Sequence, residues 1–278
     1  MHLAGIVPVI SQTRDFKMPW DDCLMPIAPG YLAYERAVLE CAYAGCDTIW
    51  IICNDDVSPI VRKRIGDFVE DPVYLGRKTR FPDKERKPVS VYYLPLNVQD
   101  FYKQNCQAWA ITYGALTIKD ISARISKWVM SEKYYVAFPH SVYDPAIVRE
   151  DRRLITTKDN YFLQNGKTFA DGEKMGFSFG NEDLEKFERY FIDLENNELF
   201  SRNTEYCREY YDNRVLLDNL SDLVILKETD KVRPVPWSHQ IDTWDQYCAF
   251  LKDPVSKTLA HPGELVMSYR EQRGIGGI

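Results

Sequence analysis

No stretch of this sequence reaches the apolar length of about 18 to 20 residues that a bilayer-spanning helix needs, and its opening carries no basic segment followed by an apolar one. A membrane protein and a secretory leader are therefore not expected, and a cytoplasmic location is. The seven cysteines, at positions 23, 41, 46, 53, 106, 207 and 248, are odd in number and include no CxxC pair. That excludes a disulfide framework or a thiolate zinc site and predicts reduced thiols. Positive charge is also short, with Lys+Arg 35 against Asp+Glu 41 and a net charge of -6. A general nucleic-acid coat needs the opposite balance. Internal repeats, low-complexity segments and the Ser-His-Asp, HExxH and P-loop patterns are missing as well.

What is present is an ordinary globular composition, 45% hydrophobic and 27% charged over 278 residues, enough to bury a substantial core. The chain is organised around His2 to Asp56. Leu3 to Val9 reads as an apolar strand, Tyr31 to Gly45 as a helix with Leu32, Val38, Leu39 and Ala42 on one face, and Thr48 to Cys53 as a β-branched strand. Strand, loop, helix, strand implies a parallel pair with a crossover, and a ligand is expected at the C-terminal ends of those strands.

Helix and strand go on alternating. A helix is expected over Ser58 to Phe68, a strand over Val89 to Leu94, a helix over Gln104 to Met130 and a strand over Tyr134 to Phe138, the signature of a doubly wound sheet. The basic run Arg77 to Arg80 with Lys84, Arg86 and Lys87 is interleaved with acids and reads as a solvated loop. In the second half, short strands are expected at Leu154 to Thr157, Tyr161 to Leu163, Lys174 to Phe179, Leu223 to Leu226 and Val232 to Pro236. Helices are expected over Glu182 to Leu194, Thr204 to Leu217 and Trp244 to Leu251, the last capped by Asp242 or Thr243. The economical division is one α/β domain over residues 1–253, mostly parallel with antiparallel additions, and a C-terminal extension over 254–278 with a short helix near Gly263 to Glu271.

Several blocks carry a resemblance. Gly5-Ile6-Val7, Thr13-Arg14, Leu24-Met25-Pro26-Ile27, Tyr31 to Val38 and Ala44-Gly45-Cys46-Asp47 look like the opening of the sugar-nucleotide nucleotidyltransferases. Cys106 to Leu116, Tyr135 to Phe138 with Val142 to Pro145, and Gln240 to Trp244 with Tyr247 follow in the family's order. The resemblance implies the nucleotide-diphospho-sugar transferase fold and a reaction joining an NTP to a sugar 1-phosphate. Such a reaction needs a Mg²⁺ held by carboxylates, cations on the polyphosphate and a glycine-rich loop. It also implies a nucleotide or NDP-sugar as ligand. A further likeness to tailed-phage proteins implies a virion or assembly component.

At the places where the family keeps its chemistry, this sequence differs. Pro8-Val9-Ile10-Ser11-Gln12 stands where the glycines belong, and a proline removes a backbone donor. Arg14 remains as a phosphate contact, with Asn54 and Cys106 as further nucleotide contacts. The family's lysine aligns with Asp22, and its two metal aspartates align with His140 and Gln240, a poor and a neutral ligand for Mg²⁺. Two readings stay open. In the first, catalysis is lost, no metal is expected, and the protein works as a binding or structural subunit with a protein partner or a second copy of itself. In the second, Arg14, Asp144 and Asp242 carry an active transfer with Mg²⁺. Each acid also has a plain structural role, Asp242 as a helix cap and Asp144 as a turn residue before Pro145. His140 and His239, far apart in sequence, read as surface or capping residues rather than as a metal pair, and Asn54-Asp55-Asp56 can equally cap the helix at Ser58.

Overall fold

A computed structural model describes residues 2–10, 18, 20–75, 88–96, 106–125, 131–196 and 220–262. The strands are β1 (His2–Val9), β2 (Pro26–Ala28), β3 (Tyr31–Leu32), β4 (Thr48–Cys53), β5 (Phe68–Glu70), β6 (Pro88–Pro95), β7 (Ser131–Val136), β8 (Ser141–Val142), β9 (Tyr161–Gln164), β10 (Phe177–Gly180), β11 (Lys231–Pro234) and β12 (His239–Gln240). The helices are α1 (Ala33–Ala44), α2 (Ser58–Ile65), α3 (Pro72–Leu75), α4 (Gln107–Ile125), α5 (Arg152–Thr157), α6 (Asn181–Asn196) and α7 (Trp244–Lys252).

Among the described residues, eight strands make one sheet in the order β11-β9-β10-β7-β1-β4-β6-β5. The central pairs β7–β1, β1–β4 and β4–β6 are parallel, while β5 and β10 run antiparallel to their neighbours β6 and β7. This is the expected mixed, mostly parallel α/β sheet. Its centre is apolar on both faces because helices cover both. In β1, Leu3, Val7 and Val9 pack on one side with α1, and Ala4 and Ile6 pack on the other with α4. In β4 the same alternation sends Ile49, Ile51 and Cys53 one way and Trp50 and Ile52 the other. The period of two explains how one continuous apolar run serves two cores.

Glycine permits the closest approaches. A Cβ on Gly5 would lie 2.9 Å from Cys41, so α1 sits tight against β1. A Cβ on Gly114 would lie 2.9 Å from Ile52, which sets α4 equally close to β4. Gly45, at φ 86, ends α1 in the left-handed conformation.

Strand order locates the ligand edge. The chain leaves β1 for β4 and β6 on one side and returns to β7 on the other, so the order reverses between β1 and β7. In such sheets the crevice opens beyond the C-terminal ends of the strands flanking that reversal. β9 is antiparallel to β10, and β11 is parallel to β9, so both run with β7 and end at this same edge.

Four expectations change. Leu154 to Thr157 is not a strand but most of α5. Its β-branched composition is overridden by Arg152, which donates to the Ala42 and Tyr43 carbonyls at the end of α1 and to both oxygens of Asp71. Leu223 to Leu226 is not a strand either; Leu223 and Val224 donate back to Leu220 and Ser221 as a closing helical turn. The helix expected to reach Phe68 stops at Ile65, and Gly66 turns the chain into β5, a short antiparallel edge strand. The segment Tyr31–Leu32 is a short strand before α1, which begins at Ala33. The expected helices at Thr204 to Leu217 and near Gly263 to Glu271, and the basic run from Arg77, lie outside the described residues.

Candidate functional site

The chain beyond β7 turns through Phe138 to His140 and enters β8. Two buried tyrosines and one ion pair pin that turn. Arg36, on α1, is fully buried and donates to Glu40 Oε2 at 2.7 Å and to the Phe138 carbonyl at 2.6 Å. Glu40 Oε1 accepts from the Tyr135 and Tyr143 hydroxyls at 2.6 and 2.7 Å, and these residues flank the turn on either side. Gly176 leaves room for the cluster, since a Cβ there would lie 2.4 Å from Glu40 Oε1. Burial and the neighbouring Glu40 carboxylate push both tyrosine hydroxyls well above their usual range. The network is structural and fixes where His140 emerges.

His140 is itself fully buried. Its Nε2 lies 2.9 Å from Asp22 Oδ1, and its Nδ1 lies 3.2 Å from Gln107 Nε2 at the start of α4. The short 3-10 turn Asp22–Leu24 brings the carboxylate in, and both partners of the ion pair are 0% exposed at the side chain. A carboxylate accepts only, so the ring donates to Asp22. With the second nitrogen on Gln107, the imidazole has both of its polar atoms engaged. Asp22 and His140, expected to be separate departures from a family pattern, are one interacting pair.

Asp21 stands beside them, partly exposed. Its carboxyl is pushed up to about 6, first by burial, then by repulsion from Asp56 and Asp22, with His140 opposing. Asp56 follows the end of β4, so acids from the β1–α1 connection and from β4 meet at this edge. Asn54 lies just past β4. Its carbonyl accepts from Val57 and Ser58 and so starts α2, while its Oδ1 is buried with no hydrogen-bond partner among the described residues.

On the far side, β8 pairs with β12, Ser141 opposite Gln240. Gln240 Oε1 lies 3.0 Å from Ser141 Oγ, and its amide donates to Glu173 Oε1 at 3.0 Å. Ser141 Oγ also rests against the Lys174 carbonyl. Lys174 Nζ pairs with Asp242 Oδ1 at 2.7 Å. Gln240 therefore belongs to a ring of Ser141, Glu173, Lys174 and Asp242.

The other candidates fall in different places. Asp144 caps the 3-10 helix Pro145–Asp151, accepting from the Ala146 N–H at 2.9 Å. The antiparallel β8–β12 register sends Asp144 and Asp242 to opposite ends of that ribbon, so the two acids do not converge. Thr243, not Asp242, caps α7. Cys106 is buried, and its Sγ accepts from the Trp109 N–H at 3.4 Å, closing the first turn of α4. His239 bonds Asp253 and is apart from His140. Arg14 lies outside the described residues. Among the described residues, no group of three His, Cys, Asp or Glu side chains is arranged to hold a metal ion.

Sequence reasoning did not find Gln107, Glu173, Lys174 or the Arg36–Glu40 pair. For the last there was a signal: two opposite charges four apart, inside a helix whose only other charge is Glu35 in its first turn. Gln107, Glu173 and Lys174 carry none, because their partners lie 33 or more residues away.

No family model matches this chain, and no curated protein matches it in sequence. Solved structures do share its fold. One is a Bacillus anthracis protein described as a glucose-1-phosphate thymidylyltransferase in complex with sucrose, which is 11% identical, with TM-score 0.52 over 95% of this chain and 98% of that one. Another is a UDP-glucose pyrophosphorylase complexed with UDP-glucose, 11% identical, with TM-score 0.51 over 93% of this chain and 98% of that one. The chain has a sugar-nucleotide nucleotidyltransferase-like fold.

Proposed function

We propose that this chain, built on the sugar-nucleotide nucleotidyltransferase fold, binds a nucleotide or nucleotide sugar at the C-terminal edge of its sheet and does not carry out metal-dependent nucleotidyl transfer. The observation that carries the reading is the buried Asp22–His140 pair. Where the family resemblance calls for a lysine and a metal aspartate, a carboxylate and an imidazole stand instead. The pair remains bonded, but a carboxylate now stands where a cation would meet phosphate.

The donor set does not suit Mg²⁺, which takes hard, charged oxygens. Either protonation state of His140 leaves no lone pair for a metal, because one nitrogen faces Asp22 and the other Gln107. Gln240 contributes no charge, and its amide is turned to Glu173 and Ser141. What the edge offers a ligand is recognition: Asn54, whose Oδ1 has no partner among the described residues, stands at the end of β4, and Glu173 and Lys174 lie on the β8–β12 side.

A role as a structural or assembly subunit fits this reading, since a fold outlasts its chemistry when only its shape is needed. Calorimetric titration with UDP-glucose, dTTP and UTP, with Mg²⁺ and then with EDTA, tests it. Saturable binding equal in both buffers is expected. Binding that appears only with Mg²⁺, or no binding of any nucleotide, contradicts it.

A further inference from the structure

A cavity of about 320 Å³ opens at the outer end of the β8–β12 ribbon. It is lined by the 3-10 helix Pro145–Asp151 on one side and by the chain leaving β11 on the other. The β8–β12 register, His239 opposite Val142, puts Trp237 across from Asp144 just beyond the last paired residues. The cavity therefore lies at the opposite end of this ribbon from Asp242, and it shares no residue with the Asp22–His140 cluster.

Its chemistry is specific. Trp237 offers a partly buried indole, and Ile147 and Val235 give an apolar floor. Around them stand Asp144 and Glu150 with Arg149 and Arg233, two acids and two guanidiniums. Arg233 is shared between Glu150 at 3.3 Å and the buried Asp151 at 3.7 Å, and Arg149 is exposed. Asp144 has one oxygen on the Ala146 N–H, which leaves the other to accept. The formal charge of the lining is zero, so neither an anion nor a cation is favoured by the field.

We propose that this cavity is a binding site for a neutral saccharide unit. Hydroxyls donate and accept at once, which matches planar carboxylates alternating with guanidinium forks. The apolar C–H face of a pyranose ring fits an indole, which pairs a broad apolar surface with a polar N–H. The volume lies at the lower end of small-molecule sites, about 300 to 1,000 Å³, enough for one or two sugar rings. This inference goes beyond the nucleotide reading of the sheet edge and stands without it.

The experiment uses the full chain with D-glucose, D-galactose, N-acetylglucosamine, maltose and sucrose as probes, followed by saturation-transfer NMR and tryptophan fluorescence. Inorganic phosphate and glucose 1-phosphate serve as charged comparisons. Saturable binding of at least one neutral sugar is expected, weakened about tenfold by Trp237→Ala, the scale of losing one well-packed aromatic contact. Arg149→Met, at an exposed residue whose loss leaves folding intact, should weaken it in parallel. UDP-glucose binding at the sheet edge should be unchanged in both variants, and Asn54→Ala should do the reverse, which separates failure of one site from failure of the other. The proposal is overturned if no neutral sugar binds, if only the phosphorylated probes bind, or if Arg149→Met binds as tightly as the native chain.

Discussion

Asp22 and His140 lie 118 positions apart, and each alone reads as a lost functional group. Together they make a buried pair in which each supplies the other's partner. Removing one partner of such a pair costs about 3 to 5 kcal/mol, because the other is left charged and unpaired in a poor solvent. Asp22→Lys sets a buried cation against the imidazole N–H and His140→Asp sets two carboxylates together, so each single exchange should lower the urea midpoint sharply. The double exchange restores opposite charges in inverted order, and it should recover most of the loss. Additive losses in this cycle would show that the two residues do not interact.

Asp21 gives a pH dependence with a definite sign. Its carboxyl titrates near 6 in the folded chain, above the ordinary aspartate value, chiefly through burial and then through repulsion by Asp56 and Asp22. The folded state therefore holds this proton more tightly than the unfolded chain does. Stability contributed by the protonated form is present below about 4 and lost as pH rises toward about 6. Asp21→Asn should raise the melting temperature at pH 7.5, and the difference should vanish at pH 3.5. A constant difference across that range would mean that Asp21 is not perturbed by its neighbours.

Secondary elements could be read from the sequence where their pattern was local. β1, β4, β6 and α1 sit close to their expected bounds because long apolar periodicity fixes them. α5 could not be read, because Leu-Ile-Thr-Thr favours a strand and the force that makes it helical is Arg152 docking on the end of α1. β5 escaped notice because three residues after a helix carry too little pattern, and only Gly66 marked the break. The close seating of α4 is testable at Gly114. An alanine there gains helix propensity of about 1 kcal/mol, but its Cβ would come within 2.9 Å of Ile52 Cδ1. Overpacking of a tight core costs about 1 to 3 kcal/mol, so Gly114→Ala should lower stability in denaturant unfolding, and a gain would show slack between α4 and the sheet. Arg36→Met should be worse, leaving Glu40 buried without its cation, and should loosen the Phe138–His140 turn as read by amide exchange at those residues.

Across the whole molecule, the fold was visible in the order of blocks from Gly5 to Tyr247, and the mixed sheet agrees with it. The site was only half visible. The candidate positions could be read one by one, but that Asp22 meets His140, that Gln240 joins Ser141 and Glu173, and that Asp144 and Asp242 stand at opposite ends of the ribbon required three dimensions. Among the described residues, no helix is long and apolar enough to cross a membrane. The central claim concerns what the cleft can still do. Exchange of labelled pyrophosphate into ATP, GTP, UTP, CTP and dTTP, with sugar 1-phosphates and Mg²⁺ or Mn²⁺, measures transfer directly. No exchange above a protein-free control is expected with any of them, and steady exchange by the purified chain, abolished by EDTA, would show that the cleft still transfers a nucleotidyl group.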